Sequence, residues 1–199
     1  IENYFIYLPD AYDSHAGVTA TEVYRAAAAH AAAHLVETKQ PISAEGLNPM
    51  QMAVISVIED ARVEALAIRR FPGLRKTWAA LHTTTPDMAA TMGDYLNRLA
   101  RALLDPDYQD NDGWIAEGRQ LFAAAQDKLD SHQISWDIGV QLTHSFREKN
   151  IPFAMLTDQL TAPYRDDNRY FWEFEEFDLN KSLSAGYEAP KQIRKYVNV

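Results

Sequence analysis

Cysteine is absent from the 199-residue chain. That absence removes disulfides, thiolate zinc sites and cysteine nucleophiles together, and it fits a cytoplasmic protein. No apolar run approaches the roughly 18 residues that a bilayer-spanning helix needs, and no basic-then-apolar leader opens the sequence. Membrane insertion is therefore not expected. Basic charge is short: 19 Lys and Arg stand against 28 Asp and Glu, a net charge of -9, which argues against nucleic acid as a partner. The G-x-x-x-x-G-K-[ST] phosphate loop and the G-x-S-x-G nucleophile elbow are missing too, so neither an ATPase nor an elbow-type hydrolase is written here. The first residue is Ile1 and not Met, and the expectation is a piece of a longer chain.

What is present reads as helix. A chain of this length, 47% hydrophobic and 24% charged, can build one substantial core or at most two small ones. Thr19-Ala-Thr-Glu22 has the capping-box pattern, so a first helix should start there and run through the alanine tract to about Thr38. "KQPISAEGLNP" is a loop. Asn48 followed by Pro49 should open a second helix ending near Arg70, before Phe71-Pro72-Gly73. A short helix is expected near Leu74–Leu81, and another from Thr85-Pro86-Asp87 to about Leu104. Two more should run from Trp114 to about Asp130 and from Ser131 to Lys149, with a short one between Pro152 and Pro163. "NYFIYLP" at the start reads as a short strand or an ordered arm. The expected architecture is all-α: a single compact multi-helix domain over residues 1–164, then an irregular aromatic and acidic segment over 165–199.

Charge is uneven along the chain. Residues 62–76 hold Arg62, Arg69, Arg70, Arg75 and Lys76 against Glu64 alone, whereas residues 166–178 hold six acids against Arg169. Both stretches are candidate partner surfaces: Arg69, Arg70 and Arg75 in the first, and the aromatic anchors Tyr170, Phe171, Trp172 and Phe174 in the second. Solvated faces, the helix dipole and closure of the core explain them equally well.

The stretch that points to chemistry is "RAAAAHAAAHLVE". His30 and His34 are four residues apart on a helix made mostly of alanine, so both imidazoles project from one face. That is how a helix gives two nitrogen ligands to zinc, yet Ala31 stands where a zinc hydrolase would carry its general base. A third ligand would come from another helix, and Glu59 is the candidate, making His30, His34 and Glu59 a possible zinc set. On the second helix Arg62 falls inside an apolar arc with Glu59 at its edge, and a buried charge must be paired. The same residues, His30, His34, Glu59, Asp60, Arg62 and Glu64, therefore also read as a satisfied polar network that fixes helix register without metal. No cofactor is required by either pattern. His82, His132 and His144 stand singly and read as surface or capping residues.

"YRAAAAHAAAHL" and "EDARVEALAIRRFPGLRKTW", with "YRDDNRYFWEFEEFD" as a looser third match, resemble the N-terminal helical region of the NorD/CbbO family. These are von Willebrand factor A (VWA) domain proteins that accompany MoxR-type AAA+ ATPases. Members include the nitric oxide reductase activation protein and a subunit of CbbQO-type Rubisco activases. The resemblance implies an adaptor and not an enzyme: the hexameric ATPase supplies hydrolysis, and the VWA domain presents the target enzyme through a D-x-S-x-S metal site. That motif is absent here, because "DLNKSLS" has the wrong spacing, so a VWA domain would lie outside this chain. Two other readings stay open: a zincin-like hydrolase or pseudo-hydrolase, and a helical scaffold that dimerises through its aromatic end.

Overall fold

The structure is a computed structural model that describes residues 6–151, 162–165 and 168–174. Among them six helices surround one core: α1 (Ala20–Glu37), α2 (Pro49–Arg70), α3 (Gly73–Ala79), α4 (Met92–Leu104), α5 (Gly113–Ala124) and α6 (Gln133–Phe146). Single turns of 3-10 helix cover Gln126–Lys128, Arg147–Lys149 and Arg169–Phe171. Two short strands, β1 (Ile42–Ser43) and β2 (Trp172–Glu173), pair in parallel, with Ile42 opposite Trp172. The all-α expectation holds, and no described helix is long and apolar enough to cross a membrane.

The first two helices begin where their caps dictate. Thr19 and Glu22 close a reciprocal capping box on α1, and Asn48 and Gln51 do the same on α2 with Pro49 just inside. α4 corrects the expectation. Residues 85–88 form only a turn, closed by Met88 N–H on the Thr85 carbonyl. The helix starts seven residues later than Thr85, at Met92, because Asp94 returns its carboxylate to the main-chain N–H groups of Ala90 and Thr91 while Thr91 caps Asp94. Position 88 has no such acid to give back. The last two helices are likewise shorter than expected, with Asp112 capping α5 and α6 starting at Gln133.

α2 is the axis of the molecule. Every residue from Val57 to Glu64 is buried, so the helix is covered on all sides. One side joins α4, α5 and α6 in the main apolar cluster around Ile58, Leu96, Leu99, Ile115, Leu142 and Phe146. The opposite side faces α1. α6 reaches α2 at Gly139, where an added Cβ would lie 2.8 Å from Ile55 Cα and 3.0 Å from Ile55 N. Gly139→Ala is therefore expected to cost about 3 kcal/mol, the upper end of ordinary overpacking, because the collision is with main chain and no rotamer relieves it. At Gly118 the obstacle is the tip of the Leu99 side chain, so Gly118→Ala should cost less. Urea unfolding of the two variants checks the order, and equal midpoints would refute the close α2–α6 approach.

Ala162, Tyr164, Arg165, Asn168, Phe171 and Trp172 are all buried, and Phe171 and Trp172 join Ile42 and Ile55 in one apolar cluster. The helix expected between the two prolines and the remaining acids of the aromatic segment, Asp166, Asp167, Glu175, Glu176 and Asp178, lie outside the described residues, as do 3–5 of the starting arm.

Candidate functional site

The alanines of α1 determine how close α2 can come. Ala26, Ala27, Ala31 and Ala33 are buried beside His30 and His34, and with only methyl groups between them the two imidazoles reach straight onto α2. From α2, Asp60 and Glu64 meet them, themselves four residues apart and on one face. His34 Nε2 lies 3.1 Å and His30 Nε2 3.7 Å from the same oxygen, Asp60 Oδ1. His30 Nδ1 lies 3.2 Å from Glu64 Oε1, within ion-pair range but off the direction of a full hydrogen bond. The two rings stand edge to face, centroids 4.7 Å apart. Tyr164 and Trp78 pack on His30, and Tyr170 and Phe171 on His34.

Two arginines close the seam. Arg62 clamps Glu59 with two bonds of 2.7 Å and sends its remaining donors to the carbonyls of Leu129 and Glu37. Ser135 and Thr38 also donate to Glu59. Arg165 clamps Glu64 at 3.0 and 2.7 Å, and its Nη1 lies 3.5 Å from Asp60 Oδ2. Tyr164 OH donates to Glu64, and Asn168 Nδ2 donates to Asp60 Oδ1 at 2.6 Å. Asn168 does so from a left-handed backbone, φ 54°, which asparagine tolerates better than most residues.

The electrostatics follow from these contacts. Burial would raise all three carboxyl groups, but their charged and hydrogen-bonding neighbours outweigh it. Arg62 holds Glu59 below the ordinary range, Arg165 and the histidines do so for Asp60, and Arg165 and His30 do so for Glu64. Burial pulls His34 down against the upward effect of the Asp60 carboxylate beside its ring. His82, hydrogen-bonded to Tyr164 OH at 2.9 Å, is lowered by burial to about 3.

All six residues of the expected polar network meet in this one seam. The expected metal set needs one correction: the carboxylate beside the histidines is Asp60, not Glu59. Adjacent helix residues point about 100° apart, and Glu59 is turned to Arg62, Thr38 and Ser135. His30, His34 and Asp60 each offer a ligand atom within 4.8 Å of one another, a group able to hold a metal ion. His82 is also corrected, since it is buried at 7% exposure and bonded to Tyr164, not a surface residue.

Several members were not found from sequence: Thr38, Ser135, Tyr164, Arg165 and Asn168. Only the last three had a signal, as part of the third stretch of the resemblance. Of the expected partner residues, Arg69, Arg70 and Arg75 are exposed at the α2–α3 corner, where Arg70 reaches Glu37 at 3.1 Å and Arg75 bonds the Leu104 carbonyl. Phe171 and Trp172 are corrected from anchors to core residues, and Tyr170 is half-buried. Phe174 stays exposed. No family model matches the chain, and comparison with curated proteins and with solved structures gives no match either.

Proposed function

We propose that this domain belongs to an adaptor that acts with a hexameric MoxR-type AAA+ ATPase in the cytoplasm to remodel or activate another enzyme, nitric oxide reductase or Rubisco being the examples the resemblance offers. One observation carries the reading. The three separate stretches that resemble the NorD/CbbO family, 24–35, 59–78 and 164–178, each send buried polar residues into a single seam: His30 and His34; Glu59, Asp60, Arg62 and Glu64; and Arg165 with Asn168. A resemblance confined to scattered surface residues would have no such reason to be kept together. On this reading the seam holds shape, the ATPase supplies the hydrolysis, and a VWA domain outside this chain engages the target.

Docking would then use the outer surface. Between α1 and α3 an open groove of about 360 Å³ is lined by Ala29, Ala32, Val36, Phe71 and Leu74, with Arg70 at its rim. Phe71 is 66% exposed, so the side chain has little to lose on the folding side. Native mass spectrometry with a MoxR-type hexamer, together with its ATPase rate, tests the reading. A complex and a changed rate are expected. Phe71→Asp should weaken the complex at least tenfold, as for an interface hot spot, without moving the thermal midpoint. Absence of both binding and any effect on ATP hydrolysis refutes the adaptor role.

A second reading has its own observation, the convergence of His30, His34 and Asp60: the seam holds a divalent ion, zinc by its nitrogen and oxygen ligands. Hydrolysis there is disfavoured. Among the described residues His34, Asp60 and Glu64 are each 0% exposed, which leaves a substrate no contact with them in this arrangement.

A further inference from the structure

The protons of the seam can be counted. Glu59 is a carboxylate held by Arg62 and can only accept, so Thr38 spends its one hydroxyl proton on Glu59 Oε1, 2.8 Å away. The Thr38 oxygen then accepts, and His34 Nδ1 at 3.1 Å must be the donor. Glu64 is likewise a carboxylate, 3.2 Å from His30 Nδ1 though off the direction of a full hydrogen bond, and the Nδ1–H tautomer of that ring avoids turning a lone pair onto it. Both neutral imidazoles are left with a bare lone pair on Nε2, and both lone pairs face Asp60 Oδ1. Asn168 Nδ2 donates to that oxygen from one side, but the two lone pairs and the carboxylate still face one another in a dry interior, which is unfavourable unless something positive sits among them.

The charge count agrees. Three buried carboxylates, Glu59, Asp60 and Glu64, face two buried guanidiniums, Arg62 and Arg165, so with neutral histidines one negative charge is in excess. His30 Nε2 has no hydrogen-bond partner among the described residues. The spacing agrees too. A tetrahedral ion with ligands at about 2.0–2.1 Å has ligand–ligand edges of about 3.3 Å; the two Nε2–Oδ1 distances are 3.1 and 3.7 Å, and all three ligand atoms lie within 4.8 Å of one another, so the rings need to close only slightly on an ion. Behind the ligands, the Glu64 contact to His30 and the Glu59–Thr38–His34 chain are the arrangement that fixes tautomer and ring orientation in metal-binding histidines.

We propose that the α1–α2 seam is a built site for a divalent transition-metal ion, with His30 Nε2, His34 Nε2 and Asp60 Oδ1 as ligands and with Glu64 and the Thr38–Glu59 pair as positioning residues. This rests on the second reading above and deepens it by assigning ligand atoms, tautomers and outer partners. Three protein ligands leave one tetrahedral position, and the closed seam restricts that position to water or another small ligand. Glu59, the residue that spacing alone offered as a ligand, acts on the ion only through Thr38.

The test is titration of the full chain, stripped with a chelator, with Zn2+ by calorimetry and with Co2+ by visible absorption. One equivalent is expected, with the intense visible bands of tetrahedral cobalt. His34→Gln and Asp60→Asn should abolish binding. Thr38→Val should weaken it ten- to a hundredfold, the usual effect of an outer partner, and Thr38→Ser should restore it. If the stripped wild type binds neither ion, the seam holds a proton instead, and the second reading fails with the proposal. If binding survives His34→Gln and Asp60→Asn, the ion lies elsewhere and only this assignment fails. Should those two variants not fold, Thr38→Val decides: unchanged affinity, or a weak octahedral cobalt spectrum in the wild type, overturns the site.

Discussion

Arg62→Met is expected to destabilise the domain by about 3–5 kcal/mol, the usual result of removing one partner from a buried ion pair. The side chain is fully buried on the axial helix and bonds Glu59 twice, Leu129 O and Glu37 O. Methionine fills much of the same volume, so little of the loss comes from a cavity. It comes from Glu59, which keeps a full charge in the interior with only the Ser135 and Thr38 hydroxyls to hold it. It comes also from two carbonyls, at the end of α1 and before α6, that lose their donor. Arg62 thus fastens two separate chain segments, the end of α1 and the turn before α6, to α2. Urea unfolding measures the loss. The double variant Glu59→Gln/Arg62→Met discriminates the cause: removing the stranded charge should make it cost less than the sum of the singles. Additive costs would mean that lost packing dominates.

That role for Arg62 was half legible in the sequence. A cation inside an apolar arc had to be paired, and Glu59 at i+3 spacing was the nearest choice, which is the pair that forms. The caps of α1 and α2 were legible for a local reason, since Thr19 with Glu22 and Asn48 with Gln51 each complete a reciprocal bond within four residues. α4 was placed wrongly because Thr85-Pro86-Asp87 reads as a start, whereas the decisive feature was the acid three residues after Thr91. The choice between Glu59 and Asp60 was beyond a helical wheel. A wheel identifies a polar stripe on α2, but α2 is buried all round, so hydrophobicity does not say which side meets α1. Arg165 is a contact across 101 positions of sequence. No local pattern ties it to Glu64.

Mild acid is expected to destabilise the metal-free protein steeply, and the sign follows from burial. Burial lowers His82 from the ordinary value of 6.5 to about 3. Between those limits the unfolded chain takes up a proton that the folded chain refuses. Stability should therefore fall as pH drops below about 6.5, by about 1.4 kcal/mol per pH unit. Burial also lowers His34, adding a second proton of the same sign while its ring stays neutral in the fold. His82 alone gives about 2–3 kcal/mol between pH 6.5 and 4.5, a sizeable part of the stability of many domains, and His34 adds in the same direction. The carboxylates add to this at lower pH. Glu59, Asp60 and Glu64 are all depressed in the fold, so their contribution is complete above the ordinary carboxylate range and is lost as pH falls through it. Urea midpoints in chelator from pH 7.5 to 4.5 give the slope directly. His82→Gln should lower it by about 1.4 kcal/mol per pH unit, because an amide can still bond Tyr164 OH but carries no titrating proton. A flat profile would mean that the imidazoles accept protons inside the fold. In that case the excess negative charge of the seam is met by an imidazolium and not by a metal ion, so this profile and the cobalt spectrum must agree.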